Sequence, residues 1–117
     1  MAASVLIVDD HSGFRSQARN LLESEGYRVV GEAGDTASGL DAARALGPEL
    51  ALVDVYLPDG NGFELTTRIL ALADPPAVVL ISSRDFTELK QCVAGSGARG
   101  FVPKAELSRE AIDELLR

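Results

Sequence analysis

Five short apolar segments run through the chain, each followed by a stretch in which apolar residues recur every three or four positions. The first, Ser4-Val5-Leu6-Ile7-Val8, is apolar without alternation after its serine, the pattern of a strand buried on both faces. Beyond Asp9-Asp10 the period becomes helical. Phe14, Ala18, Leu21 and Leu22 share one stripe, with Ser12 as the predicted N-cap and Gly26 as the exit. The alternation then repeats. Residues 27–33 read as a strand, and Thr36 caps a helix with Leu40, Ala43 and Leu46 inward, closed by Gly47-Pro48. Residues 50–55 form a third strand, and Pro58-Asp59-Gly60-Asn61-Gly62 is a loop by composition. A helix carrying Phe63, Leu65, Ile69 and Leu70 leads through Pro75-Pro76 to a strand at 77–81. A helix over 86–94 exits through Gly95 to Gly97, a brief strand covers 100–102, and Ser108 caps a last helix carrying Ala111, Ile112, Leu115 and Leu116.

Strands and helices that alternate five times, with wholly apolar central strands, predict an α/β fold with a doubly wound parallel sheet covered on both faces. At 117 residues the expectation is one domain spanning 1–117. In such sheets functional groups gather at the carboxyl ends of the strands, beside the point where strand order reverses. Polar residues with chemistry should therefore stand where strands end, and they do. The first strand ends in Asp9-Asp10, the third in Asp54 and the fourth in Ser82-Ser83, and Lys104 closely follows the fifth. Three carboxylates facing one ammonium leave an excess of negative charge that raises carboxylate pKa values. A hard divalent cation such as Mg²⁺, held by carboxylates, water and phosphate, relieves it. The set also suits phosphoryl transfer. A carboxylate can attack phosphorus, and the charge on the transferring group then needs a metal, a cation and hydrogen-bond donors.

With these residues in place, the chain resembles a response-regulator receiver domain of the CheY-like superfamily over essentially its whole length. The residues that carry the likeness are Val5-Leu6-Ile7-Val8-Asp9-Asp10, Leu52-Val53-Asp54, Leu57 to Gly62, Ser82, and Gly97-Ala98-Arg99-Gly100-Phe101-Val102-Pro103-Lys104. Each piece is weak alone, and together in order they are specific. The resemblance implies a flavodoxin-like (βα)5 fold with strand order 2-1-3-4-5. It also implies that Asp54 accepts a phosphoryl group from a sensor histidine kinase or phosphotransfer protein. Mg²⁺ would be held by Asp10, Asp54 and the carbonyl of Tyr56, with Asp9 acting mainly through water. Lys104 would contact the phosphoryl group, Ser82 would move to hydrogen-bond it, and Phe101 would turn inward with Ser82. Tyr56 and Arg84 flank the site and are expected to slow hydrolysis of the phosphoryl aspartate. The segments Asp9 to Arg15 and Val29 to Ala33 are most similar to receivers of helix-turn-helix (NarL/FixJ-type) DNA-binding regulators, which implies an output in transcription through a DNA-binding domain absent from this chain; a homodimer on phosphorylation is a further partner to be tested. Two departures stand out. Phe101 lacks the hydroxyl of the more frequent tyrosine, and Ala105 stands where many receivers have proline. A cis bond before Ala105 would cost about 3 kcal/mol without proline.

Composition narrows the picture further. A formal net charge of −7 disfavours direct nucleic-acid binding by this chain. No apolar stretch approaches the roughly 20 residues of a membrane span, and the N-terminus lacks an export signal, so the expected address is cytoplasmic. The single cysteine, Cys92, excludes a disulfide framework and is expected as a small buried helix residue. His11 is expected as a solvated loop residue, Asp59 as a turn residue and Lys90 as a surface charge. The domain is expected to modify only itself rather than turn over a substrate. A phosphate-independent interaction module on the same fold is the alternative. A haloacid-dehalogenase-type phosphohydrolase is disfavoured, since its Asp-x-Asp is replaced here by adjacent aspartates.

Overall fold

In the computed structural model, residues 3–83 and 90–117 are described. The elements follow the predicted order. They are β1 (Ser4–Val8), α1 (Ser12–Ser24), β2 (Arg28–Ala33), α2 (Thr36–Leu46), β3 (Leu50–Asp54), a short hairpin of β4 (Tyr56–Leu57) and β5 (Gly60–Asn61), and α3 (Gly62–Leu70). Then come β6 (Ala77–Ser82), α4 (Lys90–Ser96), β7 (Gly100–Pro103), a 3₁₀ turn at Lys104–Glu106, and α5 (Arg109–Leu116).

The main sheet is parallel throughout, in the order β2-β1-β3-β6-β7. Numbered among themselves, its five strands run 2-1-3-4-5, the doubly wound order with a reversal between β1 and β3. Every residue of β1 and β3 is buried, so the unbroken apolar runs have the cause expected of them. Successive side chains alternate between two cores. Val5, Ile7, Leu50, Leu52, Val79 and Ile81 face a layer with Ala18, Leu22 and Ile112 of α1 and α5. Leu6, Val8, Ala51, Val53, Val78 and Leu80 face Ala43, Leu65, Ile69 and Val93 of α2, α3 and α4. The helices thus cover both faces, and the strand ends between the layers remain open at one edge.

Several local expectations are corrected. The N-cap of α1 is His11, not Ser12, and that of α2 is Asp35, not Thr36. Asp35 accepts the Ser38 amide at 2.7 Å, which releases the Thr36 hydroxyl to donate to Asp59. Leu46 is not inward but 47% exposed, with its Cδ1 laid over Gly31 where a β-carbon would stand. The 58–62 segment is not a plain loop, because β4 and β5 pair around Pro58-Asp59. Within α4 the described helix runs on to Ser96 before Gly97, at φ 89°, ends it. Cys92 is exposed rather than buried. Ser108 caps α5 as predicted, accepting from the Ala111 amide at 3.1 Å. The predicted start of the fourth helix at 86, and Arg84, lie outside the described residues.

Candidate functional site

The carboxyl ends of β1 and β3 meet beside the reversal in strand order. Val8 pairs with Val53, so Asp9 and Asp54 come out side by side. Asp54 pairs with Ile81 on its other flank, which puts Ser82 one step beyond it on β6. Ser82 in turn pairs with Pro103, and Lys104 is the next residue. Parallel register alone therefore brings the predicted set to one edge.

Burial makes this edge electrostatically demanding. Asp9 is wholly buried, and Asp54 is only 3% exposed. Lys104 reaches in between them, its Nζ 2.5 Å from Asp9 Oδ2 and 3.0 Å from Asp54 Oδ2. Asp9 Oδ2 makes no well-aligned hydrogen bond, so the lysine's charge is its compensation. Burial pushes the Asp54 carboxyl above the usual range, against the Lys104 contact and the Tyr56 amide, with Asp9 a lesser cause in the same direction. The rise expected from mutual repulsion is thus mainly desolvation. Burial also opposes the Lys104 ammonium, yet the close Asp9 and Asp54 carboxylates outweigh it and raise its pKa. One cation cannot neutralise Asp9, Asp10 and Asp54 together.

The three carboxylates of the donor set fit a hard cation, while the histidine beside them is a softer nitrogen donor. One ligand atom from each of Asp9, Asp10, His11 and Asp54 lies within 4.8 Å of the others. His11 is the unexpected member. Although its side chain is 70% exposed, its Nδ1 is 3.2 Å from Asp9 Oδ1 and 3.0 Å from Asp10 Oδ1. A lone histidine in the sequence gave no signal of this beyond adjacency to the acidic pair. Asp10, His11, Asp54, Tyr56, Leu57, Pro58 and Ser83 line an open cleft of about 320 Å³, wide enough for a phosphoryl group. Tyr56 stands at its rim, 44% exposed, and its amide donates to Asp54 Oδ1 at 3.2 Å.

The surrounding elements fix these groups. The amide of Gly62 donates to the Val55 carbonyl at 2.8 Å, and a β-carbon on Gly62 would collide with the backbone of Asp54. That close approach explains the glycine after Asn61. Arg15 Nη1 donates to the Asp9 carbonyl at 2.5 Å while its Nε bonds Glu32 at 3.0 Å, tying α1 to the ends of β1 and β2. Asp59 stands in the hairpin turn, as expected, and is also bonded outside it. It accepts from the Thr36 amide and hydroxyl, both at 2.8 Å, and so ties the hairpin to the start of α2. Phe101 is half-buried against the α2–α4 core, one position before the strand residue that pairs with Ile81. The Lys104–Ala105 segment forms the 3₁₀ turn, with no cis peptide among the described residues. Phe14, predicted only for the core stripe, also lies 4.4 Å from Lys104 Nζ, ring centre to nitrogen.

A parallel 2-1-3-4-5 sheet with an acidic edge bridged by lysine defines a receiver-type α/β domain. Residues 5–117 match the response regulator receiver domain family, and the chain belongs to it. It is 35% identical over 113 residues to the virulence-factor transcription regulator BvgA of Bordetella pertussis, covering 97% of this chain and 54% of that protein. It is likewise 35% identical over 114 residues to the DNA-binding transcriptional activator DevR/DosR of Mycobacterium tuberculosis, covering 93% and 52%. The chain thus spans about half the length of the curated relatives it matches. Among solved structures, the signal receiver domain of the response regulator NarL from Mycobacterium tuberculosis superposes with a TM-score of 0.85 at 31% identity, over 98% of this chain and 97% of that one. No helix among the described residues is long and apolar enough to cross a membrane.

Proposed function

We propose that this receiver domain accepts a phosphoryl group on Asp54 in a Mg²⁺-dependent reaction, the donor being a phosphohistidine on a sensor histidine kinase or phosphotransfer protein. What supports this above all is the buried Asp54 carboxylate, flanked by Asp9, bridged by Lys104 and lining an open cleft with room for a phosphoryl group. Asp10, Asp54 and the Tyr56 carbonyl are the residues to hold the ion, with Asp9 behind them. When bound, Mg²⁺ supplies positive charge against the carboxylates and the phosphoryl oxygens.

The chain's own residues do the rest. An Asp54 carboxylate oxygen attacks phosphorus as the bond from phosphorus to the donor nitrogen breaks, and an acyl phosphate forms. Lys104 leaves its contact with Asp54 for a phosphoryl oxygen, and the Ser82 hydroxyl donates to another. The roughly −1.5 to −2 charge of such a group then biases a two-state surface. Ser82 and Phe101 are the route to that surface, formed by α4, β7 and α5. The domain acts on itself alone, in the cytoplasm where its kinase presents the phosphohistidine. Its output is regulation of transcription through a DNA-binding region beyond the residues in this sequence. The test is labelling by acetyl phosphate. The wild type is expected to take up one phosphoryl group only with Mg²⁺, and Asp54→Ala none. Undiminished labelling of Asp54→Ala would remove the assignment.

A further inference from the structure

We infer that Phe14 is a positioning residue for Lys104, its ring face holding the ammonium at the site while that ammonium changes anionic partners. The inference rests on the phosphoacceptor reading above. Lys104 Nζ lies 4.4 Å from the centre of the Phe14 ring, with Asp9 Oδ2 at 2.5 Å and Asp54 Oδ2 at 3.0 Å as its anionic contacts. The lysine side chain is only 12% exposed, so these three groups make up much of what the ammonium has in place of water. Phe14 is itself anchored, its partly buried ring packed against the α1–α5 core.

The two carboxylates are not permanent partners in the proposed reaction. Asp54 loses its carboxylate charge there when it becomes an acyl phosphate, and Asp9 faces the cation that completes the site. Phe14 is the contact that the chemistry leaves unchanged. A π face attracts a cation through its quadrupole without accepting a proton or carrying charge, so it does not compete with the phosphoryl oxygens for the lysine. A carboxylate in its place would compete, and an aliphatic side chain would fill the space without attraction. The position three residues into α1 puts the ring across from the 3₁₀ turn that begins at Lys104. The contact therefore joins two elements far apart in sequence at a residue whose placement the transfer requires.

The experiment is the rate constant of acetyl phosphate labelling, with Mg²⁺ affinity measured separately by NMR titration. It compares the wild type, Phe14→Leu, Phe14→Tyr, and a protein carrying pentafluorophenylalanine at position 14. That analogue keeps the ring's shape and reverses its quadrupole. Labelling is expected to slow about fivefold in Phe14→Leu and in the fluorinated protein, and to stay near wild type in Phe14→Tyr. Mg²⁺ affinity is expected to stay unchanged in all of them. Wild-type labelling rates in the fluorinated protein would overturn the inference, as would a loss of Mg²⁺ affinity in step with the rate. If Phe14→Leu fails to fold, the fluorinated protein decides alone. If the wild type itself takes no label, the Asp54 reading fails, and this inference falls with it.

Discussion

At the scale of single residues, the site is governed by how few counter-charges serve its buried carboxylates. Lys104 is the one described side-chain cation within ion-pair distance of both Asp9 and Asp54, the His11 imidazole pairing with Asp9 but not Asp54. Removing one partner of a buried pair leaves the other uncompensated. Lys104→Ala is therefore expected to lower stability by about 3 kcal/mol in Mg²⁺-free buffer, read from urea unfolding, with part restored by Mg²⁺. A rise in stability without Mg²⁺ would contradict this. Far from that edge, Tyr27 gives a pH signature. Its hydroxyl donates to Asp113 at 2.9 Å, and burial first, then Asp113, pushes its pKa up to about 12. The folded state therefore keeps a proton that the unfolded chain releases near pH 10. This contribution to stability is complete below about pH 10 and is lost as pH rises toward about 12. Tyr27→Phe is expected to flatten that alkaline decline, and an unchanged slope would reject it. Asp9, Asp10, Asp54 and Lys104 were legible in the sequence because each follows directly from where a strand stops. His11 and Phe14 were not, since their contacts depend on side-chain directions that periodicity does not encode. Cys92 was misread because helix position alone does not fix which face is covered.

At the scale of elements, the alternation of strands and helices was readable, while the starts of α1 and α2 shifted by one residue and that of α5 did not. Asp35 and Thr36 are both capping types, and only the structure shows Thr36 drawn to Asp59 instead. The β4–β5 hairpin was hidden because a two-residue pairing leaves no alternation to detect. The glycine of Asn61-Gly62 was read as a loop residue and as part of a family segment, and its physical reason is packing. A β-carbon there would strike the backbone at Asp54, so Gly62→Ala must displace either α3 or the acceptor strand. The cost is expected to be about 2 kcal/mol or more by urea unfolding, with slowed labelling of Asp54. A fully stable, fully active Gly62→Ala protein would show that this approach is not constraining. For comparison, Gly13 has open space around it, and Gly13→Ala serves as the control.

At the scale of the whole molecule, helices on both faces leave the carboxyl ends of the strands as the open place for chemistry, and under the proposed function β7 and its flanking helices carry the output. The strand order followed from the family resemblance, since alternation alone fixes a parallel sheet but not the order of its strands. The BvgA and DevR/DosR relatives extend to about twice this length. Dimerisation on activation is expected to appear as earlier elution in size exclusion with beryllofluoride and Mg²⁺ together, and with neither alone. Unchanged elution would restrict the switch to contacts within one chain or with another partner. The central claim is the chemistry at Asp54, and it is tested most directly by mapping the modified residue. After acetyl phosphate and Mg²⁺ treatment, borohydride reduction of the acyl phosphate and peptide mass analysis should find homoserine at position 54. A reduced residue elsewhere, or none in a folded Mg²⁺-loaded protein, would contradict the account.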